Sequence, residues 1–342
     1  MKEDRGSKIE DRKPLIAFPP RSSILYSRSS GVMSFGLSLP ESKPFDVVGC
    51  GLNAMDYLIT VPHYPAFNTK VELINYALRP GGQTATALTA LARLGCRTRY
   101  IGAVGSDDLG QWQLASLAEA GIEHSRVKIV EGATSQLAFI IIDQQTGERT
   151  IIWKRDERLT MRPEALDREA VTSGRILHLD GHDVAASIQA ARWARQEHIP
   201  VVIDLDNAYP GVEELLLLID YLVTSADFPM RVTGIADQRA GLKAMNERFG
   251  NYFVAMTLGA DGVLAYHDGA YLHVPGYDVD CRDTTGAGDA FHGGFIYGLL
   301  QQMGLEETLR FANAVAALNC RALGARGGLP ELEEVEELLS SK

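Results

Sequence analysis

The chain is poor in cysteine, with four among 342 residues, at positions 50, 96, 281 and 320 and without paired spacing. That scarcity excludes a disulfide framework and a cysteine-based zinc site, and it fits buried thiols in a reducing cytosol. Long apolar runs are missing too. The most apolar stretches, Leu137 to Ile142 and Leu215 to Ile219, have strand or buried-helix length, far short of the roughly 20 residues that cross a bilayer. Basic charge is scarce: 33 Lys and Arg against 44 Asp and Glu leave a formal net charge of -11. Nucleic acid and anionic membrane want a basic surface, so both are excluded as main partners, whereas a small anionic substrate is not. No internal repeat is found. What is present, 46% hydrophobic and 23% charged residues, is the composition of a soluble cytoplasmic protein long enough for a large core.

Residues 1–44 stand apart, with five of the fourteen prolines, nine serines, eight Lys or Arg and five Asp or Glu. They lack the clustered apolar residues of a core and are expected to form a disordered extension. Glu3, Asp4, Glu10 and Asp11 argue against a transit peptide, and a secretory h-region is missing. Met33 offers an alternative translation start.

From Phe45 short β-rich runs alternate with helical patterns, the behaviour of an α/β domain over 45–342. Strands are expected at Phe45 to Cys50, Leu58 to Val61, Val71 to Leu78, Thr98 to Val104, Arg175 to Leu179, Val201 to Leu205, Tyr221 to Thr224 and Phe253 to Leu258. Their spacing fits right-handed crossovers in a mostly parallel central sheet flanked by helices. Gln136 to Asp143 and Arg149 to Trp153 flank the polar turn Thr146-Gly147-Glu148, and Asp268-Gly269 separates Val263 to Tyr266 from Ala270 to Val274; both are hairpin patterns. Helices are expected at Gln83 to Leu94, up to Ala120, about Ala287 to Met303, Glu306 to Ala322 and near the C-terminus.

One stretch asks for a chemical explanation. Asp283-Thr284-Thr285-Gly286-Ala287-Gly288-Asp289 runs directly into an apolar helical pattern. A glycine-rich turn at a helix start presents unpaired N–H groups and the positive end of the helix dipole to an anion. A carboxylate in that cradle weakens phosphate binding, so Asp289 needs a purpose. Abstracting the proton of an attacking hydroxyl is one.

This stretch, continuing to Gly293-Gly294-Phe295, resembles the second signature of the PfkB, or ribokinase-like, carbohydrate kinase family. Gly81-Gly82 heading an Ala-rich helix resembles the first signature. Gly51 to Asp56, the Gly102, Gly105, Asp107 and Gly110 loop, and Thr257-Leu258-Gly259-Ala260-Asp261-Gly262 fall in family order. The resemblance covers residues 45 to about 340. It implies a ribokinase-like fold with a small β-sheet lid, from strands near 58–80 and 134–154, and transfer of the ATP γ-phosphoryl group to an alcohol, usually a sugar's primary hydroxyl. It makes Asp289 the general base and the backbone of Gly286, Ala287 and Gly288 the anion hole. Asp56, Gly81, Gly82 and Gln83 would hold the sugar, and Thr257, Gly259, Gly262, Thr284 and Asn313 the nucleotide. Mg²⁺ accompanies ATP without a nameable protein ligand; a monovalent cation and a homodimer through the lid are further options.

Two departures from the family pattern fall at the acceptor and metal ends. Gln83 and Thr86 stand where asparagine is common, and Ser225-Ala226-Asp227-Phe228 replaces Asn-x-x-Glu. Thr86-Ala87, Gly147-Glu148-Arg149 and Phe291-His292-Gly293 are most similar to the branch holding sulfofructose kinase and ketohexokinase-like kinases; there Lys70 and Arg149 would neutralise an acidic group on the sugar. Both residues also read as exposed lid charges. His178, His182 and His292 lack metal-ligand spacing, and Trp112, Trp153 and Trp193 read as packing residues. The alternatives are a nucleoside kinase of the same fold and a catalytically silent sugar-binding or regulatory protein. A Rossmann dehydrogenase is disfavoured because the glycine turn does not follow the first strand.

Overall fold

The computed structural model describes residues 37–146 and 148–341; Met33, Gly147 and residues 1–36 of the expected extension lie outside the described residues. An eight-stranded sheet forms the body. In spatial order it holds β4 (Thr98–Ile101), β1 (Phe45–Cys50), β9 (Gly174–Leu179), β10 (Val201–Leu205), β11 (Tyr221–Ser225), β12 (Phe253–Thr257), β13 (Val263–His267) and β14 (Ala270–Val274). The first six are parallel and the last two close the edge as an antiparallel hairpin.

Alternation along the strands explains why both faces are covered. Val47, Ile176, Val202 and Val223 point into one apolar layer, and Val48, Leu177, Ile203 and Leu222 into the other. The first layer carries α1 (Gln83–Arg93), α2 (Asp108–Glu119), α8 (Ala287–Leu300), α9 (Leu305–Asn319) and α10 (Leu332–Ser340). The second carries α3 (Arg168–Val171), α4 (Val184–Gln196), α5 (Val212–Leu216), α6 (Phe228–Thr233) and α7 (Gln238–Phe249). Helix α8 is buried almost all round. A Cβ on Gly293 would lie 2.6 Å from Ala90 Cβ, and one on Gly294 2.8 Å from Ala312 Cα, so these glycines let α1 and α9 close on α8 from two sides.

A second, four-stranded sheet stands over the C-terminal end of the first, in the order β3 (Asn75–Gly81), β2 (Ala54–Val61), β7 (Leu137–Asp143) and β8 (Arg149–Lys154). Its β2–β7 pair is parallel and its outer pairs antiparallel. Several contacts seat it on the body. Arg155 forms a bidentate pair with Asp183 (2.7 and 2.7 Å), Arg149 donates to Thr284 Oγ1, and Trp153 packs edge-on against His182 (centroids 5.7 Å).

Several boundaries differ from those expected. The strand expected over Thr98 to Val104 breaks at Gly102, where the Tyr100 side chain folds back and occupies the space of a Cβ. Its second half, β5 (Ala103–Gly105), pairs with β6 (Lys128–Val130) instead. Strand β2 starts at Ala54, four residues early, and β3 starts at Asn75 rather than Val71. The residues from Pro62 to Ile74 form a loop held at one end by Ile74 N–H to Thr60 O (2.8 Å).

Candidate active site

The glycine turn adopts the geometry of an anion cradle. Gly286 is the N-cap of α8 with φ 75°, and its Cβ position lies 2.5 Å from Ala325 O and 2.6 Å from Ala325 Cα. Only glycine reconciles that φ with that neighbour. The turn is tied down from below: buried Asp283 accepts from Thr285 N (2.9 Å), Thr285 Oγ1 (2.6 Å) and Gly324 N (2.8 Å). Asn319 Nδ2 donates to Thr285 O (3.3 Å) and Ala325 O (3.0 Å). Ala287 N–H is engaged by Thr284 O (3.2 Å), whereas Gly286 and Gly288 N–H meet no acceptor among the described residues. Asp289 follows in the first turn of the helix.

Asp289 sits in unusually acidic surroundings. Burial, then the carboxylates of Asp204, Asp206 and Asp56, push its carboxyl up to about 8, with nearby His292 opposing. Asp204, near the end of β10, is raised well above the ordinary range by burial, Asp206 and Asp180, while a hydrogen bond from Gln83 holds it back. Asp180, just past β9, accepts from Leu52 N–H, Thr84 Oγ1 (2.9 Å) and His182 N (3.1 Å). His292 links this row to the cradle: its Nδ1 lies 2.8 Å from Gly288 O and 3.4 Å from Asp204 Oδ2. Burial and the neighbouring His292 push His178 down to about 3, so it is neutral and buried behind the row.

The second wall comes from β2 and β3. Asp56 lies on β2, 5% exposed, and burial pushes it up to about 6, with the Arg326 guanidinium opposing and Asp283 adding. Gly81, at the end of β3, has no room for a Cβ because the Asp56 carboxylate occupies it, and Gly82 caps α1 with φ 89° over the Asn53 backbone. Asp56, Gly81, Gly82, Gln83 and Asp289 are therefore brought near one another, Asp289 within electrostatic reach of Asp56 and of the Asp204 that Gln83 contacts. Trp153, His182 and Tyr209 pack in series, with His182 Nδ1 3.1 Å from the Tyr209 hydroxyl. Trp153, read as a packing residue, is instead half exposed on the pocket side of the small sheet.

Other expected residues fall elsewhere. Lys70 is exposed in the loop between β2 and β3, with no side-chain partner among the described residues. Arg149 reaches the cradle itself through Thr284 Oγ1. Asn313 is buried and donates to Val274 O (3.1 Å) and Pro275 O (3.0 Å), so its amide clamps the end of β14 rather than pointing at an open site. Thr257 Oγ1 donates to Thr224 O (3.4 Å); Gly259 has φ 60° with open space beside it, and Gly262 packs under Val274 O. Asp227 pairs with Arg231 and accepts from Ser225 Oγ (2.9 Å). No group of three or more His, Cys, Asp or Glu among the described residues could hold a metal ion.

Arg326 was not legible as a site residue, nor were Asp180, Asp204 and Asp206. The three aspartates end or follow parallel strands at the sheet's C-terminal edge, where open α/β sheets bind ligands, and that position was the one available signal.

A glycine turn capping a helix, a carboxylate in its first turn and polar side chains facing them suit phosphoryl transfer. The match to known proteins agrees: residues 46–332 match the pfkB family carbohydrate kinase, and the chain belongs to that family. Its general activity is thus ATP-dependent sugar phosphorylation. It is 30% identical over 309 residues to a ribokinase of Haemophilus influenzae, covering 87% of this chain and 98% of the relative. It is 31% identical over 303 residues to an ATP-dependent ribose-1-phosphate kinase of Halopiger xanaduensis, covering 86% and 98%. The fold is that of Arabidopsis thaliana ribokinase complexed with ribose and ATP, at TM-score 0.76 and 24% identity, covering 86% and 98%. No candidate transmembrane helix is present among the described residues.

Proposed function

We propose that the protein transfers the γ-phosphoryl group of MgATP to a hydroxyl, usually primary, of a small uncharged sugar. Asp289 takes the hydroxyl proton, and the N–H groups of Gly286 and Gly288 stabilise charge on the transferring group. The observation that carries this reading is the juxtaposition of an unengaged pair of cradle amides, Asp289 and Asp56 around one pocket. Mg²⁺ bound with ATP would neutralise phosphate charge. Asp56 accepts hydrogen bonds from sugar hydroxyls in its ionised form. The small sheet acts as a lid that excludes water, the competing acceptor.

An acidic sugar is disfavoured. The carboxyl groups of Asp56, Asp180, Asp204, Asp206 and Asp289 lie near one another here; Arg326, near Asp56 and Asp289, already donates four hydrogen bonds, Arg155 near Asp180 is paired with Asp183, and Arg231 near Asp206 is paired with Asp227. Lys70 is exposed in the loop between β2 and β3, and Arg149 donates to Thr284 Oγ1 in the turn before α8. The half-exposed Trp153 favours a second class, ribonucleosides, whose base would stack on the indole. The test is ADP release from MgATP with aldoses, ketoses, sugar acids and nucleosides, with and without K⁺. Neutral sugars are expected to turn over at least roughly tenfold better in kcat/KM than sugar acids, the scale of one lost charge-assisted contact. A sugar acid as best substrate would overturn the neutral-sugar assignment.

The outer face of the lid carries Tyr76, Phe139 and Ile152, at 70%, 42% and 55% exposure, with Tyr57 stacked on Phe139. Cross-strand pairing sets these side chains on one flat apolar face opposite the pocket. A second copy of the chain covers it, because such a face packs against its own two-fold mate with both apolar layers buried. Replacing Phe139 and Ile152 by Asp is expected to shift the mass in light scattering from a dimer to the 37.3 kDa monomer. A wild-type monomer at micromolar concentration would refute the dimer. The acidic surface and free thiols fit a cytoplasmic setting, where MgATP is also available.

A further inference from the structure

Arg326 lies in the turn after α9 and reaches four other segments. Its Nη2 donates to Asn53 Oδ1 (2.9 Å) after β1 and to Gly81 O at the end of β3; Nη1 donates to Ser116 Oγ (2.8 Å) on α2, and Nε to Thr86 Oγ1 (3.3 Å) on α1. Its own turn abuts the anion cradle, through Ala325 against Gly286 and Gly324 N–H on Asp283. The guanidinium thus ties the acceptor wall by direct hydrogen bonds to the turn that abuts the cradle. Four donors in a planar fork are needed, which lysine does not supply.

We propose that Arg326 is a positioning residue for the acceptor, holding the Gly81–Gly82 turn and Asn53 at a fixed distance from the cradle with its charge facing Asp56. This rests on the sugar-kinase reading above. Asp56 faces Arg326, Asp283 and, across the pocket, Asp289; Arg326 faces Asp56, Asp289 and the Tyr100 hydroxyl. Arg326 opposes the burial that lifts Asp56 to about 6. Removing its charge lifts the Asp56 carboxyl further, so more of it is protonated at pH 7 and unable to accept two donors.

Two measurements test this. The first needs no turnover: titration of ¹³C-labelled aspartate carboxyls by NMR. Arg326→Met should move the Asp56 midpoint upward, and Arg326→Lys should leave it near the wild-type value. An unmoved midpoint in folded Arg326→Met overturns the proposal whatever the substrate is. The second uses the best acceptor of the panel. Arg326→Lys should raise KM for the acceptor roughly tenfold, the loss of about one net charged hydrogen bond, with kcat changed less than about threefold. An unchanged KM with reduced kcat overturns the positioning role. Where Arg326 variants do not fold, Ser116→Ala and Thr86→Val each remove one arm of the fork. A raised acceptor KM in them supports the role, and an unchanged one refutes it.

Discussion

Asp289→Asn is expected to lower kcat by roughly 10²- to 10⁴-fold, the range a positioned general base contributes, with little change in KM for the acceptor. In wild type, kcat should rise with pH as Asp289 ionises. Asp204 makes the largest carboxylate contribution to holding Asp289 at about 8. Asp204→Asn should therefore shift that limb toward lower pH, and steady-state rates from pH 5.5 to 9.5 read the shift directly. A kcat limb unmoved by Asp204→Asn would remove Asp289 as the titrating base. The same environment costs stability. The folded carboxyl titrates near 8 against an ordinary 3.8, so between those values the folded state keeps a proton that the unfolded chain has released. Stability falls as pH rises through that window, and the full cost stands above pH 8. Asp289→Asn should thus melt several degrees above wild type at pH 9 and close to it at pH 4, a trade of stability for activity.

Gly286→Ala is the second large effect. Alanine at φ 75° is strained, and its methyl carbon would sit 2.5 Å from Ala325 O, a backbone atom held by Asn319. The neighbour cannot yield without moving the turn that Asp283 and Asn319 fix. A loss of about 2–4 kcal/mol in stability follows from strain plus clash. A kcat loss of roughly 10²-fold or more follows from displacing a cradle N–H, by analogy with a lost oxyanion donor. Gly288→Ala is the contrast: no atom lies within 4 Å of its Cβ position, and it stands in the first turn of α8. Its melting temperature should equal or exceed wild type, since alanine is the better helix former. Chemical denaturation of the two variants side by side checks both values. Equal stability would show that the turn relaxes and that the cradle is not rigid.

The fold was legible because its signals are local. Alternating strand and helix patterns, the Asp268-Gly269 turn and the glycines that start α1 and α8 are each written within a few residues. The cradle was legible for the same reason, since the turn, the cap and the carboxylate are contiguous. The acceptor wall was not. Arg326 meets Asn53 and Gly81 across 273 and 245 residues of chain, and no short motif records such a contact. The carboxylate row is assembled from β9, β10 and α8 by sheet topology alone. The resemblance pairs Lys70 with Arg149. The register of β8 instead points Arg149 inward to Thr284, and the loop between β2 and β3 leaves Lys70 outside. That the Asn313 amide donates to Val274 O and Pro275 O is invisible before the hairpin is placed.

The central claim is transfer of a phosphoryl group to a neutral sugar hydroxyl with Asp289 as base. Its most direct test is ³¹P NMR of products after incubating MgATP with the neutral sugars, using wild type and Asp289→Asn at equal concentration. The account predicts a new phosphomonoester resonance coupled to sugar protons in wild type, matched mole for mole by ADP and absent from the variant over the same period. ADP with free phosphate and no sugar ester, or an ester formed equally fast by Asp289→Asn, would contradict it.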